Sequence, residues 1–376
     1  MKGTSTLHGG TELLTLIGDI IDRQGPISIE RYWDLALFHP EHGYYASRDP
    51  FGARGDFITA PEISQMFGEL VAAWLIAAWR SLGAPSPFVL AEMGPGRGTL
   101  MADILRTALR LDRAFVAAAR VTLVETSERL ATIQSERLAG FDLPIRHRKR
   151  LADLEPGPLL LVANELFDAV AIRQFVFSAD GWREKRVGRA ADGRLVFGTV
   201  AVPAGTFDLP EGLPLPSPGD LIELSPQRLS LAETIAARLA ASGGVALLFD
   251  YGHAKSGYGD TLQAMQAHAF ADPLLEPGLR DITSHVDFAA LAARFSAAGL
   301  TVAPLMDQGD FLLRLGLAER AGSLGQGRSA EEQAAIIASA HRLAGQRDDE
   351  MGRLFKVLTA CSQVLPLPPF IAEMAD

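Results

Sequence analysis

The segment from Glu92 to Thr99, with the sequence EMGPGRGT, combines an acidic residue with three closely spaced glycines. Glycine lets a backbone turn tightly and lets it approach a ligand more closely than a side chain would allow. The apolar run before the segment predicts a strand, and residues 100–119 after it predict a helix. The free N–H groups at the start of that helix favour an electron-rich ligand. We therefore expect this loop to bind a nucleotide-like cofactor.

The spacing of the glycines indicates which cofactor the loop binds. A dinucleotide-binding loop has glycines at relative positions one, three and six. Here they stand at Gly94, Gly96 and Gly98, and position six is Thr99. The pattern resembles the E-x-G-x-G-x-G loop of Rossmann-like methyltransferases, which bind S-adenosyl-L-methionine. An NAD(P)-linked oxidoreductase with a similar sheet remains the alternative.

Acidic residues follow the neighbouring apolar runs. Glu125 ends the second predicted strand, where a carboxylate accepts hydrogen bonds from ribose hydroxyls, although it is also placed to cap the next helix. Asp153 is a candidate for the amine of the adenine ring, and an exposed loop carboxylate is the alternative. The predicted cofactor-binding residues are Glu92, Gly94, Gly96, Gly98, Thr99, Glu125 and Asp153.

Strands and helices alternate through the middle of the chain. The apolar runs are continuous, as is typical of parallel strands covered on both faces, and they predict an α/β, Rossmann-like doubly wound sheet. Residues 172–218 break the alternation with short strands and turns and predict a β-rich insertion, and residues 252–285 form a second insertion. We expect an N-terminal helical and loop segment (1–86) that covers the site, a methyltransferase core (87–320) and C-terminal helices (321–376).

Composition excludes several classes of function. The net charge of −10 provides no overall field that would attract nucleic acid. Cys361 is the single cysteine, so no disulfide can form within the chain, and the histidine spacing indicates no metal site. We find no apolar run of about 18 residues, secretory signal or transit peptide, so a cytoplasmic protein without membrane insertion is expected. The oligomeric state cannot be inferred.

Four segments, read together, resemble the MidA-like methyltransferases, which include the mitochondrial complex I assembly methyltransferase acting on protein arginine. They are Gly55–Ser64, Glu92–Asp103, Asn164–Ala169 and Asp281–Phe288. The resemblance implies a class I methyltransferase with a protein substrate, and it suggests an arginine of the quinone-module subunit of respiratory complex I. Because no mitochondrial targeting segment is evident, the chain resembles a bacterial member of the group. A non-catalytic assembly factor that grips its partner is a second alternative.

The Asn164–Asp168 segment follows the fourth predicted strand, at the edge where open α/β sheets bind ligands. We expect Glu165 to orient a substrate guanidinium and Asn164 to position the cofactor end of the site. Asp168 lies three residues beyond Glu165, so one helical turn would place both on one side, where Asp168 assists or caps a helix.

Three further residues are candidates for binding the substrate. Glu62, beside Pro61, is placed to reach over the cofactor, although acidic residues are common early in helices. Tyr251 and His253 follow the fifth predicted strand and are expected to line the substrate pocket. His253 as a general base is a weaker hypothesis, and His285 is expected only to begin a helix.

Overall fold

The protein is described from a computed structural model covering residues 6–47, 58–266, 269–347, 350–364 and 366–370. The chain forms two compact units. The first, here called the insertion unit, comprises Met1–Phe57, Phe167–Ser230 and Lys255–Ala290. The second, here called the sheet unit, comprises Ile58–Leu166, Leu231–Ala254 and Leu291–Asp376. Each unit is therefore assembled from segments that are distant in sequence.

The helices of the described residues are, in chain order, α1 (Thr6–Gln24), α2 (Ile29–Phe38), α3 (Tyr44–Ser47), α4 (Ala60–Ile63), α5 (Gln65–Ser81), α6 (Thr99–Leu111), α7 (Arg113–Ala118), α8 (Glu128–Leu138), α9 (Pro226–Ser242), α10 (Phe288–Ala297), α11 (Gln308–Arg314), α12 (Leu317–Gly325), α13 (Ala330–Ala344) and α14 (Met351–Leu354). Two short 3-10 turns cover Ala139–Phe141 and Leu151–Asp153.

The strands are β1 (Ile27–Ser28), β2 (Phe88–Met93), β3 (Ala119–Val124), β4 (Arg146–Arg148), β5 (Leu159–Asn164), β6 (Arg173–Ser178), β7 (Gly181–Arg189), β8 (Leu195–Ala201), β9 (Leu221–Leu224), β10 (Gly244–His253), β11 (Gln263–Gln266), β12 (Ala269–Ala271), β13 (Asp281–Thr283), β14 (Val286–Asp287), β15 (Thr301–Val302), β16 (Met306–Asp307) and β17 (Phe355–Cys361).

The sheet unit is built on one large sheet with the strand order β4-β3-β2-β5-β10-β17-β15. Neighbouring strands from β4 to β10 are parallel, whereas β17 runs antiparallel to both β10 and β15. The chain moves outward from β2 to β3 and β4, and then returns to continue on the other side with β5. Open α/β sheets bind ligands at such a reversal, outside the carboxyl ends of the strands.

The core of the sheet unit explains why its strands are continuously apolar. Every residue of β2 and β5 is buried. Helix α5 contributes Phe67 and Trp74, and α6 contributes Ile104, all at most 2% exposed. Burial on both faces excludes polar residues from the strand interiors and leaves the strand ends as the place for chemistry. The α/β class and the doubly wound sheet are therefore confirmed.

The insertion unit contains two smaller sheets. One has the order β1-β7-β6-β9, with β8 also paired to β7, and the other has the order β12-β11-β13. The predicted β-rich insertion is present, and its first strand is Arg173–Ser178. Its core joins α1 and α2 to the strands through residues such as Ile17, Trp33, Ile172 and Val187.

Several predicted boundaries are wrong. The chain does not divide into three consecutive segments, because the N-terminal helices share a core with both insertions. The region after residue 321 is not only helical, since β17 lies inside the large sheet. Ser64 separates α4 from α5, and its hydroxyl accepts from the Met66 N–H and caps α5.

Candidate functional site

The glycine loop joins β2 to α6 in the sheet unit. Gly94, Gly96 and Gly98 all have positive φ, at 63°, 52° and 77°, which is the left-handed region that glycine adopts without steric cost. A Cβ atom at Gly94 would lie 2.9 Å from Cδ1 of Leu166. The backbone N–H of Gly94 donates to the carbonyl of Val124 at 3.1 Å. The loop therefore makes a tight bend that requires glycine.

The strand register brings the ends of β2, β3 and β5 together around this bend. Met93 pairs with Val124 of β3 and with Ala163 of β5, and Asn164 pairs with Phe249 of β10. Residues that directly follow these positions therefore lie at one edge of the sheet. The predicted residues Gly94, Glu125 and Glu165 all do so.

Glu92 is buried at the bend, with 3% of its surface exposed. Burial, with a smaller contribution from the charge of Glu125, raises the pKa of Glu92 to about 8, against a hydrogen bond from the Met101 backbone that lowers it. Its Oε2 atom has no hydrogen-bond partner among the described residues. An unsatisfied buried acceptor is costly, so this atom is suited to receive a donor from a ligand.

Glu125 is held from two sides. Its Oε1 atom accepts from the Ser127 N–H at 2.7 Å, and its Oε2 atom accepts from Nε2 of Gln134 at 3.1 Å. Ser127 itself caps α8 by accepting from the Leu130 N–H. Burial raises the pKa of Glu125 above its ordinary value, and these hydrogen bonds oppose the shift. The carboxylate thus supports the start of α8 and is also fixed next to the glycine bend.

Gln134 was not predicted as a functional residue. It lies on α8, is fully buried, and its Nε2 atom also donates to the carbonyl oxygen of Gly96 at 2.8 Å. The sequence signal was its position between the buried residues Leu130 and Leu138, four residues from each. A polar residue within an apolar helical stripe indicates a buried hydrogen-bonding role.

Thr99 and Glu62 were predicted separately, as a cofactor-binding and a substrate-binding residue, but their side chains contact each other. The Thr99 hydroxyl donates to Oε1 of Glu62, and Nη1 of Arg137 donates to the same hydroxyl at 2.8 Å. Glu62 therefore ties α4 to the first residue of α6. Both side chains lie beside the glycine loop, and their direct roles toward cofactor or substrate stay predictions.

Asn164 and Glu165 end β5 and share a hydrogen bond. Nδ2 of Asn164 donates to Oε1 of Glu165 at 3.0 Å, while Oδ1 of Asn164 is buried without a hydrogen-bond partner among the described residues. Glu165 has φ +52°, an uncommon value for a residue with a side chain. The Glu165 N–H donates to the carbonyl of Phe249 at 2.9 Å, which holds this backbone in place.

The helical turn expected to bring Glu165 and Asp168 to one side does not form. Residues 165–170 follow β5 as a bend and a turn, because the left-handed backbone of Glu165 is incompatible with a helix. Asp168 belongs to the insertion unit, is 7% exposed, and accepts on its backbone carbonyl from Arg228. The helix-based argument for Asp168, both as assistant and as helix cap, is therefore wrong.

The remaining predicted residues occupy different surroundings. Tyr251 lies within β10 and packs in the core, with its ring 5.4 Å from that of Phe355. This position gives Tyr251 a packing role, and His253 ends the same strand, half-buried. Both oxygens of the Asp153 carboxylate accept from Arg150, which lowers the pKa of Asp153. An adenine amine would have to share this carboxylate with Arg150.

The described residues contain neither a helix suited to a membrane nor a cluster suited to a metal ion. Within the described ranges, no helix has both the length and the apolar character needed to cross a membrane. No group of three or more His, Cys, Asp or Glu side chains in that same part of the chain is arranged to hold a metal ion. The Gly55–Phe57 part of the motif starting at Gly55 lies outside the described residues.

Comparison with known proteins identifies the family. Residues 70–306 match the family described as "Putative S-adenosyl-L-methionine-dependent methyltransferase". The Mus musculus protein named "Protein arginine methyltransferase NDUFAF7, mitochondrial" is 34% identical over 322 residues, which cover 79% of this chain and 72% of the mouse protein. The Homo sapiens protein of the same name is 35% identical over 322 residues, which cover 79% of this chain and 71% of the human protein. The chain belongs to this methyltransferase family.

A solved structure supports the same assignment. A Burkholderia thailandensis protein with bound S-adenosyl-homocysteine superposes with a TM-score of 0.81 at 25% identity, covering 96% of this chain and 94% of that chain. S-adenosyl-homocysteine is the demethylated form of the cofactor. The chain is thus an S-adenosylmethionine-dependent methyltransferase, and the predicted cofactor is confirmed. The alternatives of an NAD(P)-linked oxidoreductase and of a non-catalytic factor are wrong.

The comparisons also correct the expected location. The chain was expected to be cytoplasmic, but the mouse and human relatives are both named as mitochondrial proteins. The absence of a recognisable targeting pattern was therefore a poor guide to the compartment. The bacterial origin that was inferred from the same absence stays a prediction.

Proposed function

We propose that this methyltransferase transfers a methyl group to the guanidinium of an arginine in a partner protein. The names of the mouse and human relatives support a protein arginine as the acceptor. The observation that carries the proposal is the placement of Glu165 at the carboxyl end of β5, with its carboxylate held by Asn164. A carboxylate at this edge suits a cationic acceptor.

The residues around the glycine bend fit S-adenosylmethionine. The buried acceptors Glu92 Oε2 and Asn164 Oδ1, at the ends of adjacent strands, match a cofactor that carries an ammonium group. We assign to them the methionine end of the cofactor, and to Glu125 the ribose hydroxyls. Gly94, Gly96 and Gly98 let the backbone approach the ligand.

When bound, S-adenosylmethionine supplies a methyl group on a positively charged sulfur. The protein's task is to place the acceptor nitrogen in line with that methyl group. A guanidinium is a poor nucleophile because its lone pairs are delocalised. Glu165 can accept its N–H groups, fix its plane and leave electron density on the attacking nitrogen. The hydrogen bond from Asn164 orients the Glu165 carboxylate for this contact.

The identity of the partner protein is a finer proposal. The resemblance to MidA-like methyltransferases favours the quinone-module subunit of respiratory complex I, and hence a role in complex I assembly. Methylation of that purified subunit, with the modified residue located by mass spectrometry, tests the proposal. A methylated arginine supports it, whereas label on another residue type or on a small molecule only would contradict it.

A Glu165→Gln variant tests the proposed role of the carboxylate. We expect cofactor affinity within about twofold of wild type, and a methyl-transfer rate reduced by about 10- to 100-fold, because a charged hydrogen bond to the acceptor is weakened. Glu128→Gln is the matched control, since Glu128 is an exposed acid whose carboxylate pairs with Lys149. Equal transfer rates in the two variants would remove Glu165 from the mechanism.

A further inference from the structure

Two polar side chains next to the glycine bend, those of Gln134 and His147, have no role in the proposed contacts with the cofactor. Gln134 of α8 and His147 of β4 form a hydrogen bond of 3.0 Å between Gln134 Oε1 and His147 Nε2. The other end of the same Gln134 amide contacts both Gly96 and Glu125. The side chain of Gln134 on α8 thus links the bend itself to the end of β3 and to β4.

The partners of Gln134 fix the orientation of its amide group. The Gly96 carbonyl can only accept a hydrogen bond, so the amide nitrogen must face it. Oε1 of Gln134 then faces His147 as an acceptor, and His147 Nε2 must carry the proton that is donated. Because both ring nitrogens carry protons in a charged histidine, this contact persists whether or not the ring is protonated. All three hydrogen bonds of the Gln134 amide are therefore mutually consistent.

We propose that Gln134 and His147 are a positioning pair that sets cofactor affinity by fixing the Gly96 carbonyl and the Glu125 carboxylate at a set separation. The amide of Gln134 is planar, and its two N–H groups reach one partner each. His147 prevents the amide from flipping, which would turn Oε1 toward two acceptors. The inference rests on the proposed assignment of the glycine bend and Glu125 to the cofactor.

The pair acts on binding and not on the transfer step. Gln134 is fully buried, and the contacts described here reach only the loop, Glu125 and His147. Its removal would leave Glu125 with hydrogen bonds from the backbone N–H groups of Ser127 and Thr126. We expect a cofactor dissociation constant raised by about tenfold, the effect of one hydrogen bond to a charged group. The transfer rate at saturating cofactor is expected to stay within about twofold of wild type.

Calorimetric titration with S-adenosyl-homocysteine of Gln134→Met, Glu125→Gln and the double variant tests this relay. Because Gln134 acts partly through Glu125, the two losses are expected to be less than additive: the double variant binds more weakly than Glu125→Gln by less than the loss seen in Gln134→Met alone. Fully additive losses, or an unchanged affinity in Gln134→Met while Glu125→Gln is weakened, would overturn the role of Gln134. Unchanged affinity in Glu125→Gln would instead overturn the cofactor assignment itself.

The two variants His147→Gln and His147→Met keep the proposal testable even if Gln134→Met does not fold. Glutamine at position 147 can donate an N–H to Gln134 Oε1, whereas methionine cannot. We expect His147→Met to raise the dissociation constant by about fivefold or more, and His147→Gln to restore most of the affinity. Equal affinities in these two variants, with equal thermal stability, would overturn the role of His147.

Discussion

Replacing Glu92 by glutamine tests the electrostatics of the site directly. Burial raises the pKa of Glu92 to about 8 in the folded protein, whereas the ordinary value of a glutamate is 4.5. Between these two values the unfolded chain is ionised while the folded protein retains the proton. The folded state therefore loses stability as the pH rises from about 4.5 to 8, and the loss stops above that range.

The size of this effect follows from the pKa difference. One pKa unit corresponds to about 1.4 kcal/mol, so the separation between 4.5 and 8 corresponds to at most about 5 kcal/mol. Glutamine has the same shape and no titratable proton, so Glu92→Gln removes this pH dependence. Near pH 5 the cofactor-free variant is expected to be as stable as wild type or less stable. Near pH 8 it is expected to be more stable than wild type by several kcal/mol, because the buried Glu92 carboxylate of the wild type becomes charged there.

Urea denaturation of the cofactor-free protein at pH 5, 6.5 and 8 measures the difference. Glu128→Gln is the control, since it removes the same charge from an exposed position. Glu92→Gln is also expected to weaken S-adenosylmethionine binding, because a glutamate can release its proton and meet the ammonium group as a carboxylate, whereas glutamine stays neutral. Parallel stability curves for wild type and Glu92→Gln across this pH range would refute the reasoning.

Two further predictions concern the bend and the insertion unit. Gly96→Val is expected to abolish cofactor binding in calorimetry, because valine at φ +52° costs about 1–2 kcal/mol and fills the space where backbone meets ligand; a folded variant of unchanged affinity would contradict the loop assignment. Glu184→Ala is expected to lower the free energy of unfolding by about 1.5–3 kcal/mol in denaturant titration, because Glu184 is fully buried and bonds Arg173 and Arg186, whose side chains are partly exposed to water. A loss under about 1 kcal/mol would show that solvent satisfies both guanidiniums.

The glycine bend was predictable from sequence because its determinants are local. A largely apolar strand, three glycines and a helix start lie within about two dozen consecutive residues, and the structure has a strand, a bend with three positive φ values and a helix there. Strand ends in one parallel sheet then bring Glu125 and Glu165 to the same edge.

The features that could not be predicted from the sequence depend on contacts between residues far apart in the chain or on an unusual backbone conformation. Strand β17 is a short apolar stretch after four consecutive helices, and only its pairing with β10, about a hundred residues away, makes it part of the sheet. The role of Gln134 depends on Gly96 and His147, which are 38 and 13 residues away. The left-handed backbone of Glu165 overrides the helical spacing that linked it to Asp168.

A crystal structure of this protein with S-adenosyl-homocysteine tests the central claim most directly. We expect the ligand to lie over the Gly94–Gly98 bend, with its ribose hydroxyls on Glu125 and its amino group within hydrogen-bond distance of Glu92 Oε2 or Asn164 Oδ1. A ligand bound elsewhere, or a ribose that does not contact Glu125, would contradict it.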